Sequence, residues 1–253
     1  MRRALLSTLL LLGCAEPAAG GRAPLNEAPL PATGADEVIL DLRGDAAIVG
    51  RVEPAPPGSD ADRVLVLRGA GLDGRRALDA RFTGDALVVL GADHVLSALD
   101  ARGETILDER VEAPLSVVGD AVAYVRGEMP DFEVVRAVPA TGEVRAVAPQ
   151  LRPAWSPALS PDGREVVFAT SATGTPRLHR TGRGSVSASR VPTMPGGPAW
   201  RGDALVLEDE RGVAWVDVGT GQVVRDAPGL HDLVATADGR LLARRDGSWE
   251  VLR

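Results

Sequence analysis

The sequence has little of several residue types, and each scarcity excludes a class of protein. It contains one cysteine, one asparagine, one tyrosine and no lysine, so all 28 basic residues are arginines. One cysteine excludes a disulfide framework and a cysteine-rich zinc site. Aromatic residues make up 3% of the chain, which is low for a face that binds peptides or sugars. The net charge of −7 argues against a nucleic-acid-binding surface.

The one long apolar run lies at the N-terminus of an otherwise ordinary globular sequence, in which 45% of the 253 residues are hydrophobic and 25% are charged. Arg2 and Arg3 precede nine mostly apolar residues, 4–12. This run is shorter than the roughly 20 residues that span a bilayer, and the order of charge and apolar residues is typical of a secretory signal. We therefore expect export from the cytoplasm.

The residues that end this run, LLGC at positions 11–14, resemble the lipobox of bacterial lipoproteins. The resemblance implies a signal peptide over residues 1–13, cleavage between Gly13 and Cys14, and a lipid on the Cys14 sulfur. Two or three acyl chains anchor a protein stably to a membrane. A later cut within residues 15–19 and a cytosolic start are the alternatives.

Residues 14–36 are expected to form a flexible tether between the lipid and a folded domain. They are rich in alanine, proline and glycine and lack apolar periodicity, so they cannot bury enough surface to offset the entropy of ordering. A fixed strap on the domain surface is the alternative. By resemblance to other lipoproteins, Ala15 after the cysteine favours the outer membrane facing the periplasm over the inner membrane or the cell surface.

Residues 37–253 are expected to form one all-β domain. Short β-branched runs alternate with Gly, Asp and Pro turn signals, as in antiparallel strands. A Gly/Asp turn followed by an apolar strand recurs six times, at intervals of 40, 35, 43, 40 and 36 residues. The six turns are Gly44-Asp45-Ala46, Gly84-Asp85-Ala86, Gly119-Asp120-Ala121, Asp162-Gly163-Arg164, Gly202-Asp203-Ala204 and Asp238-Gly239-Arg240.

A second glycine turn lies further along the repeats, so each unit holds about four strands. It occurs at residues 72–74, 101–104, 140–143, 181–184 and 219–222. Four strands in about 40 residues is the content of one β-propeller blade. The sequence therefore predicts a β-propeller with six blades of four antiparallel strands.

The fourth repeat, Pro153–Phe168, resembles the WD-repeat-like propeller repeat of TolB-type periplasmic proteins. Its tail, SPDGR at 160–164 followed by Phe168, matches that repeat. Its head, PAWS at 153–156, also matches but is separated from the tail by extra residues. The resemblance covers about 16 residues and implies a blade of this type, not membership of the Tol system. The sequence shows no sign of the α/β domain that precedes the propeller in TolB itself.

The last repeat has space for only three strands, near residues 233–235, 241–244 and 249–252. Propellers usually close the ring with a strand from the other terminus. By register, Val38–Leu42 belongs to the first repeat as its first strand. We therefore expect linker residues to supply the missing edge of the last blade.

No catalytic motif is present, and each polar candidate has a structural interpretation. His94, His179 and His231 lie at non-equivalent points of three repeats, which favours structural roles. The acidic cluster at 208–210 (Glu-Asp-Glu) is interpreted as a solvated turn, with calcium binding as the alternative. The asparagine that lactonase metal sites use is not available in the domain, because Asn26 lies in the linker. No G-x-S-x-G serine nucleophile motif occurs.

The four tryptophans are expected to pack in the core, with the lining of a ligand surface as the alternative. Trp155 and Trp200 each follow Pro-Ala in consecutive repeats, and equivalent repeat positions predict packing between blades. Trp215 and Trp249 are interpreted in the same way. Tyr124 lies at a strand position without the Asp-box turns of sialidases, so a nucleophilic role is not indicated.

Together these features predict a monomeric, lipid-anchored propeller of the bacterial cell envelope. We expect a non-catalytic protein-binding or scaffold module, attached to the membrane by its lipid, with no cofactor, no metal and no nucleic-acid partner. The alternative is an envelope hydrolase or lactonase with a carboxylate-bound divalent metal in the central channel. No motif identifies the protein partner.

Overall fold

The computed structural model describes residues 28–57, 59, 61–192 and 197–252. These residues form 22 β-strands and no helix. Within these ranges, no helix has the length and hydropathy that a bilayer crossing requires. Gly13 and Cys14 lie outside the described residues, so lipidation and signal cleavage remain predictions.

The strands are β1 (Glu37–Arg43), β2 (Ala46–Pro54), β3 (Arg63–Arg68), β4 (Arg76–Thr83), β5 (Ala86–Gly91), β6 (Leu96–Asp100), β7 (Gly103–Asp108), β8 (Val111–Val118), β9 (Ala121–Arg126), β10 (Glu133–Val138), β11 (Glu143–Val147), β12 (Ala154–Leu159), β13 (Val166–Thr170), β14 (Arg177–Arg180), β15 (Gly184–Val186), β16 (Ala199–Arg201), β17 (Ala204–Asp209), β18 (Gly212–Asp217), β19 (Val223–Pro228), β20 (His231–Ala235), β21 (Leu241–Arg245) and β22 (Ser248–Val251).

Consecutive strands pair antiparallel, so the sheets are chains of hairpins. One sheet contains β1–β7, three sheets contain four strands each (β8–β11, β12–β15 and β16–β19), and one contains β20–β22. The predicted Gly/Asp turns connect β1 to β2, β4 to β5, β8 to β9, β12 to β13, β16 to β17 and β20 to β21. Gly44 and Gly202 have φ angles of 58° and 56°, in the left-handed region that glycine adopts at little cost.

The sheets are arranged as a β-propeller. The strands that precede the Gly/Asp turns contact one another in the order β1, β4, β8, β12 and β16, and β20 contacts β17, β18 and β1. The circle of contacts thus closes between the two ends of the chain. The predicted all-β propeller arrangement is confirmed by these contacts.

The hydrophobic core lies between neighbouring groups of strands. Val88 and Leu96 pack against Val122 and Tyr124 between β5–β6 and β9, and Val167 packs with Leu205 between β13 and β17. Six such clusters occur among the described residues. Five of them join strands of successive repeats, and the sixth joins β1 to β20 and β21, so side-chain burial helps to hold the repeats together.

The ring closes without a fourth strand on the last sheet. The Asp238 N–H donates to the Leu42 carbonyl oxygen at 3.0 Å, and Leu42 packs with Val234 and Leu242. The first-repeat register of residues 38–42 is confirmed, because β1 pairs with β2. The expectation that linker residues complete the last sheet is wrong for residues 28–36, which contain no strand, and sheet β20–β22 has three strands.

Residues 28–36 lie instead against the seam between the last and first sheets. Arg240 Nη1 donates to the Ala28 carbonyl oxygen at 2.8 Å, and Arg68 Nη2 donates to the Ala32 carbonyl oxygen at 2.8 Å. The Leu30 side chain packs against the cluster that contains Leu42. We call residues 28–36 the seam strap.

Candidate functional site

A cavity of about 420 Å³ lies where the first strands of all six repeats end. We call it the central cavity. Its volume falls within the range of small-ligand sites. It is lined by Arg43, Arg81, Phe82, Gly84, residues 115–119, Leu159, Pro161, residues 197–201, Leu233, residues 235–237 and Gly239. Arginines are the charged residues in this lining, and most of the other side chains are apolar.

Arg81 is a fixed part of the cavity wall. It is 8% exposed, and its guanidinium pairs with Asp79, with Nε 3.0 Å from Oδ1. Arg81 Nη1 also donates to the carbonyl oxygens of Leu40 at 2.6 Å and Ala235 at 3.3 Å. One side chain of β4 is thereby bonded to β1 and β20, and few of its donors remain for a ligand.

Arg43 lines the same cavity with most of its donors unused. Nη1 donates to the Gly84 carbonyl oxygen at 2.8 Å, and the guanidinium carbon lies 4.6 Å from the centre of the Phe82 ring. Within the described ranges, no carboxylate forms an ion pair with Arg43. Other half-buried or buried arginines, such as Arg126 and Arg190, do pair with carboxylates. Stacking and one hydrogen bond therefore hold a partly buried cation in place.

Arg201 and Trp200 form the wall contributed by β16. Arg201 Nη2 donates to the Arg240 carbonyl oxygen at 3.0 Å. The Trp200 ring is 6% exposed, its Nε1 donates to the Gly202 carbonyl oxygen at 2.9 Å, and the Arg180 guanidinium lies 4.7 Å from its centre. The expected core packing of Trp200 is confirmed, although one side of it also faces the cavity.

The expected equivalence of Trp155 and Trp200 is wrong. Trp200 pairs with Leu205 beside the turn that follows β16, whereas Trp155 pairs with Ala169 at the start of β12. Leu159, which pairs with Val166 beside its own turn, occupies the place of Trp200. The extra residues after Trp155 move it one strand length away from the cavity, where its Nε1 donates to the Pro192 carbonyl oxygen.

Buried polar side chains fasten the strands around the cavity. Asp41, 1% exposed, accepts hydrogen bonds from the N–H groups of Leu42 at 2.7 Å, Phe82 at 2.8 Å and Ala237 at 2.6 Å. Asp79 repeats part of this pattern and accepts from the Leu115 N–H at 2.8 Å. Asp41 therefore bonds β1 simultaneously to β4 and to the turn after β20.

The environment of Asp41 predicts an unusual pH dependence of stability. Burial raises the pKa of Asp41 from 3.8 to about 6, and the nearby Arg81 charge and the three N–H donors oppose this rise. Because the folded state binds this proton more tightly than the unfolded state, the stabilisation is complete below about pH 4 and is lost as pH rises through about 6. We expect a loss on the order of 3 kcal/mol across this window.

The measurement is the free energy of unfolding from pH 4.5 to 7.5, for the wild type and Asp41→Asn. The wild type should lose stability more steeply than the variant between pH 5 and 7. Burial lowers the pKa of His179, which gives the opposite slope in both proteins, so the difference between them isolates Asp41. Parallel curves would contradict the prediction.

The three histidines have separate structural partners. His94 Nδ1 lies 3.1 Å from the Val111 carbonyl oxygen. His179 Nδ1 lies 2.9 Å from Ser185 Oγ, and His231 Nδ1 lies 3.3 Å from Glu208 Oε1. None of the three lines the central cavity. These contacts agree with the predicted structural roles.

Tyr124 is also structural. It is completely buried, and its hydroxyl donates to Asp108 Oδ2 at 2.7 Å. Burial, followed by the hydrogen bond to Asp108, raises the pKa of the Tyr124 hydroxyl. A hydroxyl that is harder to ionise and already bonded is a poor nucleophile.

The acidic cluster at 208–210 differs from the predicted solvated turn. Asp209 forms an ion pair with Arg190, whose side chain is 1% exposed, and Arg190 also pairs with Asp226 at 2.5 Å. Glu208 accepts a hydrogen bond from the Leu233 N–H at 3.0 Å, and only Glu210 is exposed. The sequence does not reveal these partners, because Arg190 lies 19 residues before Asp209 and Leu233 lies 25 residues after Glu208.

The described part of the chain contains no cluster of metal-ligating side chains. Nowhere in residues 28–57, 59, 61–192 and 197–252 do three or more His, Cys, Asp or Glu side chains form a group that could hold a metal ion. The central cavity instead presents Arg43, Arg81 and Arg201. Guanidinium groups attract anions and repel metal cations.

The comparisons with known proteins give structural similarities at low sequence identity. No protein-family model matches the sequence, and no curated protein matches it. The structure is similar to TolB from Acinetobacter baumannii, with a TM-score of 0.48, 17% identity, and coverage of 80% of this chain and 62% of that chain. It is also similar to BamB from Moraxella catarrhalis, with a TM-score of 0.45, 16% identity, and coverage of 87% and 73%. The chain thus spans less than two thirds of the length of that TolB structure.

Proposed function

We propose that this protein is a non-catalytic binding module of the bacterial cell envelope that receives a protein partner at the central cavity. The observation that carries the proposal is the cavity itself, which is preformed by the first strands of the repeats and lined by apolar side chains and arginines. Asp41 and the Arg81–Asp79 pair fix the wall strands in place. A rigid site of this kind loses little conformational entropy on binding.

Six blades are part of this proposal, although hydrogen bonding joins the first seven strands into one sheet. β3 pairs with β4 only at Arg76 and Ala77, whereas β4 pairs with β5 from Ala77 to Thr83. We therefore count residues up to Ala77 with the first blade and the rest of β4 with the second. The six core clusters between successive groups support the same count.

The proposed anchor is a lipid on Cys14, supported by the lipobox-like residues 11–14. The predicted mature chain begins at Cys14 and carries a net negative charge, because its 35 acidic residues exceed its basic ones. An acidic protein is repelled by an anionic membrane surface, so attachment depends on the acyl chains. The position proposed for it is the outer membrane, facing the periplasm.

Cys14→Ser is expected to release the protein from the membrane fraction. Without the thiol, no lipid is added and no basic patch replaces it. Fractionation of cells that express the wild type or the variant, followed by immunoblotting, measures this release. A variant that remains in the membrane fraction through a high-salt wash would contradict the lipid anchor.

Partner binding is tested by photo-crosslinking in intact cells. A crosslinking amino acid is placed at Val117, which lines the central cavity, and, as a matched control, at Ile106, which is 63% exposed on the outer strand β7. We expect a defined protein adduct from Val117 that Ile106 does not give. Absence of a Val117 adduct, or the same adducts from both positions, would argue against a partner at the cavity.

A further inference from the structure

We propose that the central cavity binds a single carboxylate group carried on an apolar body, of the kind found at the C-terminus of a polypeptide, and that Arg43 is the residue that grips it. This inference rests on the proposed function, since it specifies the chemistry of the partner at the same cavity. Three observations support it: the unused hydrogen-bond donors of Arg43, the apolar side chains that line the cavity, and the exposed carboxylates of Asp85 and Asp120 next to the lining.

The first step is the unused hydrogen-bonding capacity of Arg43. A guanidinium has five N–H donors, and the described contacts use one of them, from Nη1 to the Gly84 carbonyl oxygen. The Phe82 ring under the guanidinium plane fixes its orientation and leaves its edge available. A planar pair of donors fits a carboxylate in a bidentate geometry.

Among the residues that the structure describes, no carboxylate forms an ion pair with the Arg43 guanidinium. Arg81 in the same wall is neutralised by Asp79, but the described ion pairs include none for Arg43. A partly buried charge without a counter-ion is unfavourable, and an incoming anion relieves that cost. Arg201 lines the same cavity.

The third step is the apolar remainder of the lining. Leu115, Val117, Leu159 and Leu233 face the cavity together with the Trp200 ring. Such a surface favours an aliphatic group attached to the carboxylate, because burial of apolar area is favourable at about 25 cal/mol per Å². A compact inorganic anion would leave this surface unfilled.

Two exposed aspartates next to the cavity limit the ligand to one negative charge. Asp85 and Asp120 are exposed and directly follow Gly84 and Gly119, two glycines of the cavity lining. Carboxylates at this end of the ring disfavour polyanions through like-charge repulsion. A monocarboxylate with a neutral apolar body meets the arginine with the least repulsion.

The test compares two ligands that differ only in charge: N-acetyl-leucine and N-acetyl-leucinamide. Binding to the purified full-length protein is measured by calorimetry or by ligand-observed NMR. We expect the carboxylate to bind at least about tenfold more tightly than the amide, the effect of one charge-assisted interaction. Equal binding of the two compounds, or no binding of either, would overturn the proposal.

Variants assign the effect to Arg43. Arg43→Met retains an aliphatic stem over Phe82 and should lower affinity for the carboxylate about tenfold, to the level of the amide. The matched control is Arg102→Met, because Arg102 is 82% exposed, pairs with Asp100 at the turn between β6 and β7 and does not line the cavity; this variant should bind as the wild type does. If Arg43→Met does not fold, Arg43→Lys is measured instead. It keeps the positive charge but lacks the planar pair of N–H donors, so its affinity for the carboxylate should lie between those of the wild type and the amide ligand. Wild-type affinity in both Arg43 variants would contradict the assignment.

A last pair of ligands identifies the source of the carboxylate. The peptide Ala-Ala-Ala-Leu-Leu is compared as the free acid and as the C-terminal amide. Tighter binding of the acid peptide than of N-acetyl-leucine indicates a polypeptide end, whereas equal binding indicates a free organic acid. If the acids fail to bind but the Val117 crosslink persists, the carboxylate inference falls and the binding-module proposal stands.

Discussion

Asp41→Ala is expected to lower the free energy of unfolding by about 3 kcal/mol or more at pH 5, where most of the folded protein carries a protonated Asp41. The substitution leaves the N–H groups of Leu42, Phe82 and Ala237 without their acceptor. Each buried donor that loses its partner costs roughly 1–3 kcal/mol. Urea unfolding, followed by far-UV circular dichroism, measures the change.

Asp45→Ala is the matched control for this substitution. Asp45 is an exposed aspartate in the turn that follows β1, and its replacement should change stability by less than about 0.5 kcal/mol. A similar loss in both variants would show that Asp41 is no more important than a turn residue. The ring closure would then depend on apolar packing and on the remaining hydrogen bonds, such as the one from the Asp238 N–H to the Leu42 carbonyl oxygen.

Arg190→Ala is expected to destabilise the protein by about 3–5 kcal/mol. The Arg190 side chain is 1% exposed and pairs with Asp209 and Asp226, and it also donates to the Gly212 carbonyl oxygen at 2.6 Å. Its removal leaves the partly buried Asp209 charge paired, among the described residues, with the exposed Arg211 at 3.2 Å instead of with a buried guanidinium. The desolvation cost of a charge that loses its partner makes this loss large.

Arg51→Ala tests whether burial is the cause. Arg51 is 52% exposed and pairs with Glu53 at 2.6 Å, and exposed pairs contribute about 0–1 kcal/mol. Thermal and urea unfolding of both variants should therefore give a large loss for Arg190 and a small one for Arg51. Comparable losses would contradict the argument from burial.

Much of the strand pattern follows from the sequence, because local chemistry determines it. The apolar runs 64–67, 87–90 and 213–216 are strands, and the glycine turns between runs adopt positive φ angles. Hairpins depend on neighbours in the chain, and glycine at a left-handed position is a local requirement. The order of strands within each sheet was therefore accessible without the structure.

The cavity chemistry was not accessible in the same way. Asp41 bonds to residues 41 and 196 positions further along the chain, and no periodicity reports such contacts. One signal was available: Leu-Asp-x-Arg occurs at 40–43 and again at 78–81, each time before a Gly-Asp-Ala turn. Both copies place their aspartate at a β-bulge and their arginine in the cavity lining.

The Trp155 misassignment has a simple physical cause. A matched tripeptide shows that two segments are similar, but the position along a strand is set by the distance to the turn. Trp200 lies two residues before Gly202, whereas Trp155 lies seven residues before Asp162 and is separated from it by a bulge. The strand pairing, in which Trp200 lies opposite Leu205 and Leu159 lies opposite Val166, identifies Leu159 as the counterpart of Trp200.

The position of the seam strap determines where a mechanical load would enter the molecule. Residues that precede Ala28 connect to the ring through the strap, whose contacts with Arg240 and the Leu42 cluster lie at the joint between the last and first sheets and whose contact with Arg68 lies on β3 of the first sheet. Tension on the N-terminal side would pull on this joint before it reached the walls of the cavity. Under a steady pull, the ring should open at its own junction, while the remaining inter-sheet contacts keep their spacing.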